Sequence, residues 1–233
     1  MIRLDKFLCT MEAGSRSQVK EFIKKGQVTV NGQVCRQPDA KIREECDRVV
    51  CQGRELFYEP FVYYMLNKPA GVVSATKDKR EKTVLDLLEA VPGKGIFPVG
   101  RLDKDTEGLL LLTNDGRLSH ELLSPVKHVP KTYQVETALP ITQDMKAILE
   151  RGVDIGDARP TQPALVQLKE ACKMELTITE GRFHQVKRML KAVGNEVIYL
   201  KRLSMGTLCL DRKLAPGEYR RLTHDEVEIL RKG

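Results

Sequence analysis

The sequence predicts an α+β protein in two parts, a small basic head and a larger part rich in short strands. Three observations carry that expectation. Apolar residues recur at helical spacing over the first two dozen positions, and an Asn-Gly pair set between alternating residues follows directly. Beyond residue 61 the chain turns to short apolar runs separated by Gly and Pro.

In the head, Leu4, Phe7, Leu8 and Met11 fall at i, i+3, i+4 and i+7, one face of a helix ending near Gly14. Ser15 and Gln18 then make the S-x-x-Q of a capping box ahead of Val19, Phe22 and Ile23, so a second amphipathic helix opens there and Gly26 closes it. Its cations Arg16, Lys20 and Lys24 stand at i, i+4 and i+8, a stripe away from the apolar side. Taken alone, such a stripe reads as a solvated helix face. Gln27 to Val30, the pair Asn31-Gly32, and Gln33 to Cys35 form a hairpin signal. This order of features resembles the S4 RNA-binding domain, along Arg3-Leu4-Asp5-Lys6-Phe7 and on through Val28-Thr29-Val30-Asn31-Gly32. By that resemblance Arg48-Val49-Val50 supplies a closing strand, and the three cations contact RNA. Residues 55–61, with Pro60, read as a linker, giving an S4-like RNA-binding domain over 1–58 and a second domain over 59–233.

Charge agrees with a polyanionic partner in its distribution more than its total. The 233 residues carry 39 Lys+Arg and 32 Asp+Glu, a net +7. Residues 1–43 hold a surplus of five positive charges and residues 181–221 a surplus of seven, while the rest is slightly acidic. Two separated basic blocks suit two contacts with one polyanion. No apolar run reaches the roughly 18–20 residues needed to span a bilayer, and the first residues lack an apolar signal core, so a cytoplasmic protein without membrane contact is expected. Six scattered cysteines with no C-x-x-C pair indicate neither a disulfide scaffold nor a zinc site.

The second part carries the chemistry. Strand-like runs occupy 62–66, 108–113, 133–137, 174–179 and 196–200, with short helices at 83–88 and 185–193, and Asn67-Lys68-Pro69-Ala70-Gly71 reads as a turn. Asp103, Asp105 and Glu107 precede Gly108, but a calcium loop would need a Glu where Asn114 stands. A magnesium pair of Asp103 and Asp105 lacks a nearby third ligand. A glycosidase-like carboxylate pair, about 5–9.5 Å apart, is left open by spacing alone. Asp103, flanked by Arg101 and Lys104, would by itself be read as a surface ion pair, and Asp115 as a turn residue.

The whole run Gly100-Arg101-Leu102-Asp103, Thr106, and Gly108 through Gly116 is similar to the central motif of pseudouridine synthases. Asn67-Lys68-Pro69-Ala70-Gly71 resembles their first motif, Lys131-Thr132-Tyr133 their tyrosine element, and Glu180 through Leu190 their third motif. The His-Gln-Val-Lys-Arg-Met form of that third motif, and the lack of a long basic tail after Gly233, look most like the RsuA type that acts on the small ribosomal subunit.

The resemblance implies an α+β catalytic domain with a mixed, mostly antiparallel sheet, and conversion of uridine to pseudouridine in ribosomal RNA, of the 16S species, with the same reaction on the 23S species as the alternative. It implies no cofactor and no metal. The catalytic residues would be Asp103, attacking sugar or base or assisting a glycal-like intermediate; Lys187 as its basic partner; and Tyr133, packed on the target uracil. Arg101 would fill the gap left by a flipped nucleotide or touch its phosphate, and Leu200 would wall the pocket or pack in the core. Arg188 and Arg202 would offer cations to phosphates, His184 a structural or RNA contact, and Lys68 and Pro69 structural support. The expected partner is ribosomal RNA or an assembling small subunit, met by a monomer. A ribosomal-RNA-binding protein with an inert synthase domain is the rival reading, and it would not need Asp103.

Overall fold

The computed structural model describes residues 1–11, 13–44, 46–56, 61–88 and 95–232. These fall into two compact units, 1–62 and the remainder. The expected boundary between residues 58 and 59 lies outside the described residues.

The first unit runs β1 (Ile2–Arg3), α1 (Leu4–Thr10), α2 (Arg16–Lys24), β2 (Val28–Val30), β3 (Gln33–Val34), β4 (Lys41–Ile42), β5 (Val49–Cys51) and β6 (Arg54–Leu56). Ser15 and Gln18 make the anticipated reciprocal cap of α2. Asn31 and Gly32, at φ 53° and 82°, form the turn between β2 and β3, the left-handed pair that a two-residue hairpin of the right twist requires. The antiparallel sheet is ordered β3-β2-β5-β6, and β1 pairs β4. Leu4, Phe7, Leu8, Val19, Ile23 and Val28 are buried together in one core. Part of the expected linker is strand: Glu55 and Leu56 belong to β6, because Gln52 and Gly53 (φ 50° and 79°) turn the chain back and Leu56 buries opposite Val49. Residues 57–60, including Pro60, lie outside the described residues.

The second unit contains β7 (Tyr63–Lys68), a 3₁₀ turn (Val84–Leu87), β8 (Phe97–Pro98), β9 (Glu107–Thr113), α3 (Gly116–Leu123), β10 (Lys131–Thr137), α4 (Gln143–Arg151), β11 (Leu165–Glu170) and β12 (Lys173–Ile178). It continues with α5 (Gln185–Ala192), β13 (Val197–Met205), β14 (Leu208–Cys209), β15 (Tyr219–Arg221) and α6 (His224–Lys232). The strands form one mixed sheet ordered β11-β12-β10-β13-β9-β7-β15, with β14 on β13 and β8 on β9. Every pair is antiparallel except β9 with β13. All six residues of β7 are buried, as befits a strand covered on both faces. The turn expected from Asn67 therefore starts later: Asn67 and Lys68 remain in β7, paired to Leu109 and Gly108.

Gly108 sits where the parallel pair comes closest. At φ 98°, a Cβ there would lie 2.3 Å from the Arg202 carbonyl oxygen. Only glycine fits. Gly108→Ala is expected to cost about 3 kcal/mol or more, from positive-φ strain plus overpacking, read as a lowered midpoint in urea unfolding.

Asp115 is more than a turn residue. It caps α3 by accepting from the Leu118 amide at 3.0 Å and takes the Tyr63 hydroxyl at 2.7 Å. Arg231, from α6, donates to the same Tyr63 oxygen at 2.8 Å. Burial, together with the Asp115 carboxylate, pushes the Tyr63 phenol up to about 12. No helix among the described residues is long and apolar enough to cross a membrane.

Candidate active site

Asp103 lies on a loop, residues 99–106, that is moulded from beneath by the segment after β7. The Ser74 hydroxyl accepts from the Leu102 amide at 3.0 Å and donates to the Leu102 carbonyl at 2.9 Å, and the Gly71 amide donates to the Lys104 carbonyl. Lys68, fully buried, extends under the same loop and donates to the carbonyls of Thr106 at 2.8 Å, Pro69 at 3.1 Å and Lys104 at 3.3 Å. Its supporting role is thus a buried cation that fixes backbone. Burial lowers the Lys68 ammonium from 10.5 to about 8, while Asp105, Asp103 and Glu107 pull it partly back.

That shift has a definite sign. Between about pH 8 and 10.5 the unfolded chain holds a proton on Lys68 that the folded one has released, so raising pH through this window favours the fold. Relative to a Lys68→Met variant, wild-type stability is expected to rise across that window and level off above it, measured by denaturant unfolding at each pH.

The basic side chains around Asp103 come from far along the chain. Lys187 Nζ, on α5, is 3.5 Å from Asp103 Oδ2, and His184 Nε2 is 3.5 Å from Oδ1. The sequence neighbours do not supply them: Lys104 pairs with Glu81 at 2.7 Å, and Arg101 is exposed. Lys187 also bonds both oxygens of Asp105, at 2.6 and 2.8 Å, and this ammonium holds the Asp105 carboxyl below its ordinary range. Lys187 therefore bridges two carboxylates of one loop and is closer to the second. His184 precedes α5 with a left-handed backbone (φ 47°), and its ring stacks on Phe183 at 3.8 Å between centroids.

Over this arrangement opens a cavity of about 650 Å³, within the range of small-molecule sites and sufficient for a nucleoside. Asp103, Lys187, Tyr133 and Leu200 all line it, so the expected catalytic residues and the apolar wall meet. Tyr133 and Leu200 are both buried, on neighbouring strands β10 and β13. Arg101 also borders the cavity, and Phe183, 74% exposed, presents an open ring beside it.

Two residues expected to offer cations to phosphates are differently placed. Arg202 is only 2% exposed; its Nε donates to the Leu109 carbonyl at 2.8 Å, because alternation along β13 turns it to the covered face. Arg188 is occupied by the segment before β11, bonding Asp157 Oδ1 and the Ile155 carbonyl at 2.5 Å each. Arg16, Lys20 and Lys24, in the first unit, are exposed as expected. The sequence reading missed Lys131 and Phe183. Lys131 could have been found, since the period of two along β10 puts it on the face of Tyr133.

A carboxylate beside a base-sized cavity, an aromatic ring and an apolar wall can hold a flat heterocycle and act on the sugar attached to it. The family model for RNA pseudouridylate synthases matches residues 62–192, and that for the S4 domain matches residues 2–49. The chain is 50% identical over 234 residues to the uncharacterized RNA pseudouridine synthase YtzG of Bacillus subtilis, covering 98% of each chain. It is 41% identical over 228 residues to ribosomal small subunit pseudouridine synthase A of Escherichia coli, covering 97% of this chain and 98% of that one. A crystal structure of a pseudouridylate synthase superposes with a TM-score of 0.70 at 38% identity, covering 99% of this chain and all of the other. With an S4 domain in front and the synthase motifs gathered on one cavity, this chain belongs to the RNA pseudouridylate synthase family.

Proposed function

We propose that this enzyme isomerises a uridine to pseudouridine in the RNA of the small ribosomal subunit, acting as a monomer in the cytoplasm. The observation that carries the reading is the meeting of Asp103, Tyr133 and Lys187 on one base-sized cavity. The relatives named ribosomal small subunit pseudouridine synthase A favour the 16S target.

A uridine within structured RNA must leave its stack to reach such a cavity. Arg101, exposed at the cavity's border, fills the vacated gap or holds the adjacent phosphate. Tyr133 packs on the extruded uracil, and stacking of this kind contributes roughly 1–3 kcal/mol. Asp103, kept beside the Lys187 ammonium, acts on the sugar as the N1–C1′ bond breaks; Leu200 walls the detached ring while it turns to present C5 to C1′. The product is an isomer, so neither water nor an electron carrier enters the balance. The S4 unit contributes RNA capture through Arg16, Lys20 and Lys24.

Pseudouridines mapped in ribosomal RNA from cells lacking the gene test the reading. One site is expected to vanish from the small-subunit RNA and to return with the wild-type gene. Loss from the large-subunit RNA would move the target, and loss from neither would remove ribosomal RNA as the substrate.

A further inference from the structure

Beneath the cavity lie two cations that the motifs leave without a task. Lys131 and Arg202 both line it and both are buried. Lys131 Nζ donates to the Val129 carbonyl at 2.9 Å, and Arg202 Nε to that of Leu109. Among the described residues no carboxylate pairs with either, and Arg202 Nη2 is buried without any hydrogen-bond partner. Burial lowers the proton affinity of Lys131, and the nearby Arg202 charge lowers it further. Two neighbouring buried cations without a counter-charge are unfavourable in the free protein. An arrangement so unfavourable in the free protein suits a negative charge that arises only during reaction.

The reaction supplies such a charge. When N1–C1′ breaks, its electron pair passes to N1 and spreads over the ring onto the O2 and O4 carbonyl oxygens. C1′ is compensated by a bond to the Asp103 carboxylate or, through transfer of the C2′ proton to that carboxylate, by a C1′–C2′ double bond. The ring must persist as an anion until C5 bonds to C1′, the C5 proton leaves and N1 takes one up. Register places Arg202 directly across from Tyr133, the ring on which the uracil would stack. Lys131 is two residues along β10 on the same face. We propose that Lys131 and Arg202 are the electropositive floor that stabilises the detached uracil as an anion by donating to its carbonyl oxygens. A backbone phosphate is the less suitable occupant, because both cations are buried and share the cavity lining with Tyr133 and Leu200.

The inference rests on the uridine-isomerising chemistry, which the wild-type rate on the same RNA reads separately. The test uses the ribosomal RNA that wild type modifies, carrying uridine or 5-fluorouridine at the target. Fluorine makes the ring anion more stable, and because it replaces the C5 proton whose loss completes the isomerisation, N1–C1′ cleavage is the step followed. Single-turnover rates and RNA affinity are measured for Lys131→Met and Arg202→Met, with Lys131→Gln and Arg202→Lys guarding against loss of fold. With uridine, the rate is expected to fall by about 100-fold or more with affinity within about threefold. With 5-fluorouridine, the cleavage deficit should shrink at least tenfold, and Arg202→Lys should recover part of the loss. Folded variants with near wild-type rates, an equal deficit on both substrates, or a loss that lies in RNA affinity would each overturn the proposal.

Discussion

Asp103→Asn is expected to reduce turnover on the order of 10⁴-fold or more while RNA affinity stays within about threefold. The amide keeps the shape of the carboxylate but loses the charge that acts on the sugar. Geometry around it should hold, because Lys187 remains anchored by both oxygens of Asp105 and the loop remains fixed by Ser74 and Lys68. The loss would thus fall on the chemical step. Single-turnover pseudouridine formation alongside equilibrium RNA binding separates the two quantities, and wild-type turnover by the variant would take Asp103 out of the chemistry.

Replacing Arg16, Lys20 and Lys24 together with Gln is expected to weaken RNA binding roughly 100-fold at 0.1 M salt and to lower the slope of log affinity against log salt by about 2–3. None of the three forms a salt bridge among the described residues, and all three are exposed, Lys20 acting at longer range on Asp5. The Ser15–Gln18 cap and the buried Val19 and Ile23 are untouched, and stability should move by no more than about 0.5 kcal/mol. Binding titrations across a salt series check this; an unchanged slope would assign RNA capture elsewhere.

Local rules served the first unit well. A capping box and a left-handed Asn-Gly turn act within a few residues and appear where the sequence put them, while α1 stops at Thr10, ahead of the end expected near Gly14. The centres of β7, β9, β10 and β12 were likewise legible, since each is a buried run or a clean alternation, whereas the run expected at 196–200 covers only the first part of the less regular β13. β11, with one buried position among six, gave no such signal, and α3, α4 and α6 went unread. The motifs found Asp103, Tyr133 and Lys187, but not who neutralises whom. Lys187 reaches Asp105 across 82 positions, and Arg188 is taken up by Asp157, facts of tertiary approach to which sequence spacing is blind. Arg202 shows the same limit: its charge was visible, while its burial depended on which face of β13 the sheet covers.

The catalytic sheet places its earliest strand between neighbours made much later. β7 is hydrogen-bonded to β15, which leaves the ribosome roughly 150 residues afterwards, an interval of about 8–30 seconds at ordinary elongation rates. The first unit has its last strand by Leu56. During translation, the first unit therefore has all its described strands well before the sheet of the second can close.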